Sequence, residues 1–210
     1  MSKRKQLLYV IMSSSIFKER VDTLKKTWCK NIDYVIYSDH EDVFENIIKV
    51  SDRKDYHSNE EKHINMINSL SNLYDWYFFC DDDTFVNTKM TDEILKFADK
   101  NYVYGNIINQ INNPDNPIFI KEMIPKEFVY LEGGAGYLIN QFTINKIKPF
   151  INYNTGYADV SFGLNLYYNN VKIKDISLIN QGIKLSCHFM KTFEQMNQMY
   201  NHVNKWKYYL

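Results

Sequence analysis

The stretch Trp76-Tyr77-Phe78-Phe79-Cys80-Asp81-Asp82-Asp83 decides how this chain is read. Its apolar run is too short for a helix and is aromatic in character, so it reads as a buried strand. That strand delivers three carboxylates to a sheet edge, where their mutual repulsion destabilises the fold unless something positive sits among them. Along an extended chain Asp81 and Asp83 project to one side and Asp82 to the other. Such a split suits two jobs, holding a hard divalent cation and touching a hydroxylated ligand. The plainer alternative is a solvated acidic turn after a strand.

Working outward, strand and helix signals alternate. Leu7 to Met12 reads as a strand. Lys18 to Lys30, with Val21, Leu24 and Trp28 at helical spacing, reads as a helix, and Tyr34 to Tyr37 as a second strand ending in Ser38-Asp39. A helix is expected from Ser58, with Glu61 completing a capping box and Ile64, Ile67 and Leu70 forming its apolar stripe. After the acids, Thr91 is the expected cap of a helix through Leu95 and Ala98, and Val103-Tyr104 opens an extended segment. Residues 109 to 126, with Pro114, Pro117 and Pro125, read as a long loop. Beyond it Gly133-Gly134-Ala135-Gly136 precedes Tyr137-Leu138-Ile139, a helix runs from Asn140 to Pro149, and another begins near Asp159. The spacing of Met196, Met199, Tyr200, Val203 and Trp206 predicts a last helix docked on the core. This order predicts an α/β fold with a mainly parallel central sheet flanked by helices. Ligands bind beyond the carboxyl ends of such strands, which gathers Ser13, Ser14, Ser15, Asp39 and the three acids on one rim.

Composition narrows the function. The 210 residues suffice for one compact domain or two intimately packed halves, and the formal charge is zero with Lys and Arg dispersed. A nucleic-acid groove and an anionic-membrane footprint are therefore poorly supported. Leu7 to Met12 is far too short for a membrane span. Cys29, Cys80 and Cys187 are odd in number and form no CxxC, and no Asn-x-Ser/Thr acceptor occurs. Both observations lead to the expectation of a reducing, cytoplasmic compartment.

Taken singly, the remaining candidates have dull explanations. His188, in the short apolar segment Leu185 to Met190, returns an imidazole late in the chain, although a lone histidine is more often structural. One oxygen ligand plus one imidazole favours manganese over calcium, with ligand phosphates completing the coordination. Gly133 and Gly134 suit either a turn or a close backbone approach. Asp159 suits a helix N-terminus. Arg20 and Lys62 fall in predicted helices, where solvent exposure is the default.

In sequence order, however, these pieces form a pattern: Arg20 to Trp28, Val35 to Asp39, Lys62, Trp76 to Asn87 with its three acids, Glu132 to Ile139 with Gly-Gly-Ala-Gly, Asp159 to Gly163, and His188. The chain resembles the Fringe and β-1,3-galactosyltransferase family of inverting glycosyltransferases over most of residues 7 to 190. The resemblance implies a GT-A-type, Rossmann-like single domain over residues 1–210, with a nucleotide-sugar-binding half to about residue 105 and an acceptor-binding half beyond. It implies a UDP-sugar donor, Mn²⁺ or Mg²⁺ as cofactor, and a glycan or glycoprotein acceptor. By likeness Asp83 and His188 would hold the metal, and Asp81 and Asp82 would lie near the donor sugar and ribose. Ser13, Ser14, Ser15, Arg20, Asp39 and Lys62 would grip the nucleotide, Gly133 and Gly134 would separate donor from acceptor, and Asp159 would be the general base. Ala158 departs from the acid or proline found there in many relatives. The membrane anchor, stem and cysteine pattern of Golgi enzymes are missing, so a soluble, cytoplasmic or virus-encoded enzyme is expected. Two rival readings stand beside it: a non-catalytic nucleotide-sugar or glycan-binding module, and a nucleotidyltransferase, for which no Gly-rich triphosphate loop is found.

Overall fold

The computed structural model describes residues 5–108, 124–125, 127–176 and 185–205. In chain order the strands are β1 (Lys5–Met12), β2 (Tyr34–Ser38), β3 (Ile47–Lys49), β4 (Tyr74–Asp81), β5 (Phe85–Val86), β6 (Tyr102–Gly105), β7 (Ile107–Ile108), β8 (Tyr130–Leu131), β9 (Tyr137–Asn140), β10 (Lys172–Asp175) and β11 (Ser186–Cys187). The α-helices among the described residues are α1 (Lys18–Lys26), α2 (Asn59–Ser69), α3 (Thr88–Leu95), α4 (Gln141–Ile147), α5 (Ala158–Tyr168) and α6 (Phe193–Lys205).

Seven strands form the main sheet in the order β10-β6-β9-β4-β1-β2-β3. Only β9 runs against its neighbours, pairing antiparallel with both β4 and β6, while the other pairings are parallel. The α/β expectation therefore holds, with one reversed strand inside the sheet. The alternation of side chains along each strand produces two cores. Tyr9, Ile11, Phe78, Cys80 and Leu138 face one side, where Val21, Leu24, Ile94, Leu95 and Met196 cover them. Leu8, Val10, Tyr77, Phe79, Tyr137 and Ile139 face the other, under Ile64, Ile67, Ile144, Ile147 and Phe162. Helices on both faces bury the middle of the central strands, which is why Leu7 to Met12 in β1 and Trp76 to Cys80 in β4 are continuous apolar runs.

Several local expectations are corrected. Ser58 and Glu61 form no capping box, because the Ser58 hydroxyl donates to the Asp55 carbonyl and Glu61 accepts from Ser51. Asn87, not Thr91, caps α3 by accepting from the Met90 amide, and Thr91 instead donates to the Asn87 carbonyl from inside the helix. The first helix stops at Lys26, short of Lys30. Asn140 does cap α4, accepting from the Thr143 amide at 2.9 Å. Most of the proline-rich 109 to 126 segment, and Trp206, lie outside the described residues.

Candidate active site

Register places the acids. β1 and β4 pair in parallel with Met12 opposite Asp81, so Ser13 and the three aspartates emerge together beyond the same sheet edge. The chain then turns, with the Thr84 amide donating to the Asp81 carbonyl, and enters β5. There Phe85 pairs with Cys187 and Val86 with Ser186 in an antiparallel ribbon. The Met190 amide donates to the Asp83 carbonyl at 2.7 Å, extending that ribbon. This small ribbon returns His188 to Asp83 across a hundred residues of sequence.

The three aspartates divide as alternation predicts. Asp82 turns inward, accepting from the Ser13 hydroxyl at 2.6 Å and from Arg20 Nη1 at 3.0 Å. Asp81, Asp83 and His188 turn the other way, with one potential ligand atom from each lying within 4.8 Å of the others. His188 Nε2 stands 3.1 Å from Asp83 Oδ1 and 4.0 Å from Asp81 Oδ2, while its Nδ1 faces Glu132 Oε1 at 3.5 Å. The resemblance pairs Asp83 with His188, places Asp81 near the donor sugar and ribose, and gives Glu132 no role. The geometry groups Asp81 with Asp83 and His188.

Electrostatics reflect a crowded anionic pocket. Burial, reinforced by the Asp82 charge, pushes Asp81 up to about 7. Burial also raises Asp82 against its bonds from Ser13 and Arg20. For His188, burial opposes the proton, yet the Asp83 and Glu132 carboxylates overcome it and raise the imidazole to about 9. Against its burial, Asp83 in contrast is held below its ordinary value by the His188 imidazole and Arg20, so two carboxylates and an imidazole converging on one point form a donor set that fits a divalent cation such as Mn²⁺.

A second cluster lies at the ends of β1 and β2. Asp39 accepts from the Ser15 amide at 2.8 Å and the Ser15 hydroxyl at 2.6 Å. Burial alone would raise its pKa, but the Ser14 hydroxyl and these Ser15 bonds hold the carboxyl below the usual range. Lys62 is only 1 % exposed, correcting the expectation of a solvated helix position. Its ammonium reaches to 3.8 Å from Asp39, and burial lowers its pKa while that carboxylate opposes the shift. Ser14 is buried beside them, its hydroxyl directed to the same carboxylate. Arg20 bridges this side to the metal-type cluster through Asp82 and Asp83, its guanidinium 4.0 Å from the Phe17 ring centroid.

Gly133 and Gly134 join the halves of the site. A Cβ on Gly134 would come 2.1 Å from His188 Cε1, and one on Gly133 would come 3.2 Å from Asp159 Cβ. Adjacent glycines thus touch the imidazole on one hand and the acid on the other. Asp159, in the first turn of α5, is pushed by burial to about 6, with backbone N–H groups of Val160 and Gly133 resisting the shift. Glu60 holds the approach to that helix, accepting from the Thr155 and Gly156 amides at 3.2 and 2.9 Å. His63, kept neutral by burial that lowers it to about 4, contacts the Tyr137 hydroxyl at 2.5 Å. Neither Glu60 nor His63 had a sequence signal beyond a helical position.

His63, Asp81, Glu132, Gly133, Gly134, Tyr137, Tyr157, Asp159, His188 and Phe189 border one cleft of about 220 Å³. A larger cleft of about 730 Å³, bounded by residues such as Trp28, Lys30, Asp92 and Tyr200, contains none of these groups. Chemistry therefore points to the smaller one.

The family model described as Fringe-like matches residues 3–161. The chain belongs to the Fringe-like family. Among solved structures, this Fringe-like chain is similar to the catalytic domain of Drosophila β1,4-galactosyltransferase 7, at 14% identity and TM-score 0.46, covering 87% of this chain and 67% of that one. It is similar to the galactosyltransferase LgtC at 10% identity and TM-score 0.49, covering 97% and 100%. It is also similar to CMP:2-keto-3-deoxy-manno-octonic acid synthetase at 10% identity and TM-score 0.50, covering 96% and 99%. Likeness at these identities concerns the fold alone. Comparison with curated proteins gives no match. Family membership supports glycosyl transfer as the class of activity. No helix among the described residues is long and apolar enough to cross a membrane.

Proposed function

We propose that this Fringe-like chain is a metal-dependent, inverting glycosyltransferase that moves a hexose or N-acetylhexosamine from a UDP-sugar to a hydroxyl of a glycan or glycoprotein. The observation that carries this reading is the pairing across Gly133-Gly134: a cation-type donor set on one side and a single carboxylate at about 6 on the other. Asp81, Asp83 and His188 would hold Mn²⁺ or Mg²⁺. When bound, that cation supplies stabilisation of the negative charge growing on the departing diphosphate.

The chain's own groups do the rest. Ser13 and Arg20 fix Asp82, and Lys62 and Ser15 fix Asp39, so polar groups on the rim are oriented before the nucleotide arrives. The first half of the chain, to about residue 105, would hold the nucleotide-sugar, and the second half the acceptor. Asp159 takes the proton from the acceptor hydroxyl as that oxygen attacks the anomeric carbon from the face opposite UDP, which inverts the configuration. Its pKa of about 6 leaves it ionised yet basic at neutral pH. A soluble, cytoplasmic setting is part of the same proposal.

The test incubates the purified chain with a panel of UDP-sugars and Mn²⁺ and follows UDP release and sugar transfer, with chelator as control. Metal-dependent UDP release supports the proposal. UDP binding without hydrolysis or transfer from any donor would replace it with a binding module, and pyrophosphate release from a sugar phosphate and UTP would replace it with a nucleotidyltransferase.

A further inference from the structure

Asp159 can act as the proposed base only if the first turn of α5 is held in place, and α5 does little of this itself. Its cap position is Tyr157, which makes no side-chain cap bond. The Asp159 carboxylate turns back on its own helix, Oδ1 accepting from the Val160 amide at 2.9 Å. The chain that enters the helix passes through two left-handed residues, Asn154 at φ 53° and Gly156 at φ 78°. A segment bent in this way keeps one shape only where its backbone N–H groups find fixed partners.

Those partners come from another helix. The buried Glu60 carboxylate, in the first turn of α2, accepts from the Gly156 amide through Oε2 at 2.9 Å and from the Thr155 amide through Oε1 at 3.2 Å. Two oxygens on one rigid group hold both amides at a fixed separation, which a neutral acceptor with one oxygen does not do. Thr155, itself buried, carries the hold forward: its Oγ1 accepts from the Tyr157 amide at 3.1 Å and donates to the Tyr157 carbonyl at 2.8 Å. One turn along the same face of α2, His63 contacts the Tyr137 hydroxyl, and its Nδ1 is directed to the Ala158 carbonyl. The His63 ring also meets Phe162, one turn beyond Asp159, with centroids 5.4 Å apart. α2 therefore grips α5 on both sides of the acid. We infer that Glu60, supported by His63, is a positioning residue that sets where the Asp159 carboxylate stands. Glu60 does not border the cleft, so its effect on transfer is carried through α5. The consequence for turnover rests on the reading of Asp159 as the base; the placement of its carboxylate does not.

The competing role is that of an ordinary fold contact. Glu60→Asp keeps the charge but withdraws both oxygens by one methylene, and Glu60→Gln keeps the shape and one acceptor oxygen while turning an NH₂ group toward the second amide. His63→Phe keeps a ring and removes its polar contacts. The expected result is a kcat lowered at least about tenfold in each, and up to about 10²-fold where the acid moves by about 1 Å, with KM for the donor and affinity for UDP with Mn²⁺ within about twofold of the wild type. In an Asp159→Asn background Glu60→Gln should cost no further turnover, because both changes act through one carboxylate. Carbon-13 NMR of the Asp159 carboxyl, assigned by its absence in Asp159→Asn, reads the placement without turnover. Its titration midpoint, about 6 in the wild type, should move toward the ordinary aspartate value in Glu60→Asp and His63→Phe, neither of which removes a negative charge. A kcat indifferent to both Glu60 variants, or an equal fall with and without Asp159, overturns the inference. If the midpoint moves but the wild type turns over no UDP-sugar, the positioning stands and the transferase reading fails. If the wild type transfers sugar while the Glu60 variants change neither kcat nor the midpoint, the transferase stands and the positioning fails.

Discussion

Replacing Gly134 with alanine tests the site through a single added methyl group. Its φ lies outside the left-handed region, so alanine meets no backbone strain there, and the effect isolates what the Cβ touches. That Cβ would fall 2.1 Å from His188 Cε1, 2.4 Å from Nε2 and 2.8 Å from Nδ1. Relief to an ordinary contact moves the whole imidazole by more than about 1 Å, given that carbon atoms pack best at about 3.5–4.0 Å. Phe189 is stacked on that ring, so the imidazole cannot yield in place. The 3.1 Å approach of Nε2 to Asp83 is then lost and with it the third ligand of the cluster. Disturbing the support of a metal ligand lowers affinity by about 10–100-fold, and overpacking adds about 1–3 kcal/mol of destabilisation. Isothermal titration of Mn²⁺ in the presence of UDP measures the first, and denaturant unfolding the second. Gly133→Ala is the neighbouring control, since its Cβ meets Asp159 at 3.2 Å and should spare metal affinity while slowing turnover. A Gly134→Ala protein that binds Mn²⁺ with unchanged affinity would refute the placement of His188 in the ligand set.

Other outcomes follow from the same geometry. Asp159→Asn should leave UDP and Mn²⁺ affinity intact by calorimetry while turnover falls by about 10²–10⁴-fold. Turnover of the wild type should decline as pH falls through about 6, where Asp159 takes up its proton, and a steady-state pH profile shows whether it does. Stability of the metal-free chain should move in the same window. Asp81 and Asp159 have folded pKa values raised to about 7 and about 6, so the stability they give is present below their unfolded values and lost as pH rises through the folded ones. His188, raised to about 9, gives stability that is lost between its ordinary value and 9, and urea titrations from pH 4 to 9.5 measure the sum. Lys62→Met strands the buried Asp39 charge and should destabilise the fold by about 3 kcal/mol, most of it recovered in the Lys62→Met, Asp39→Asn double variant.

Much of this was legible in the sequence because β4 is both a central strand and the carrier of the acids. An apolar run that ends in carboxylates fixes the strand, its burial and the rim it feeds, and strict alternation separates Asp82 from Asp81 and Asp83. The reversed strand β9 was not legible, because a buried strand reads the same in either direction. The burial of Lys62 was not legible because helical spacing gives a face, and only the tertiary position of Asp39 makes that face an interior one. Glu60 and His63 share this origin: their partners, Thr155, Gly156 and Tyr137, lie more than seventy residues away. The capping errors at Ser58 and Thr91 arose because a hydroxyl that matches a cap pattern found a better carbonyl nearby. Glu132 was visible beside the glycines, but nothing local tells that it faces an imidazole from the end of the chain.

In the proposed site, an acid delivered by β4 and the late imidazole share one cation. Electron–nuclear double resonance of the Mn²⁺ complex with UDP reads this directly, through hyperfine coupling between the metal and a directly bound ¹⁴N. One such nitrogen is expected in the wild type, and its loss in His188→Gln. A Mn²⁺ spectrum with no bound nitrogen, or one that His188→Gln leaves unchanged, would contradict it.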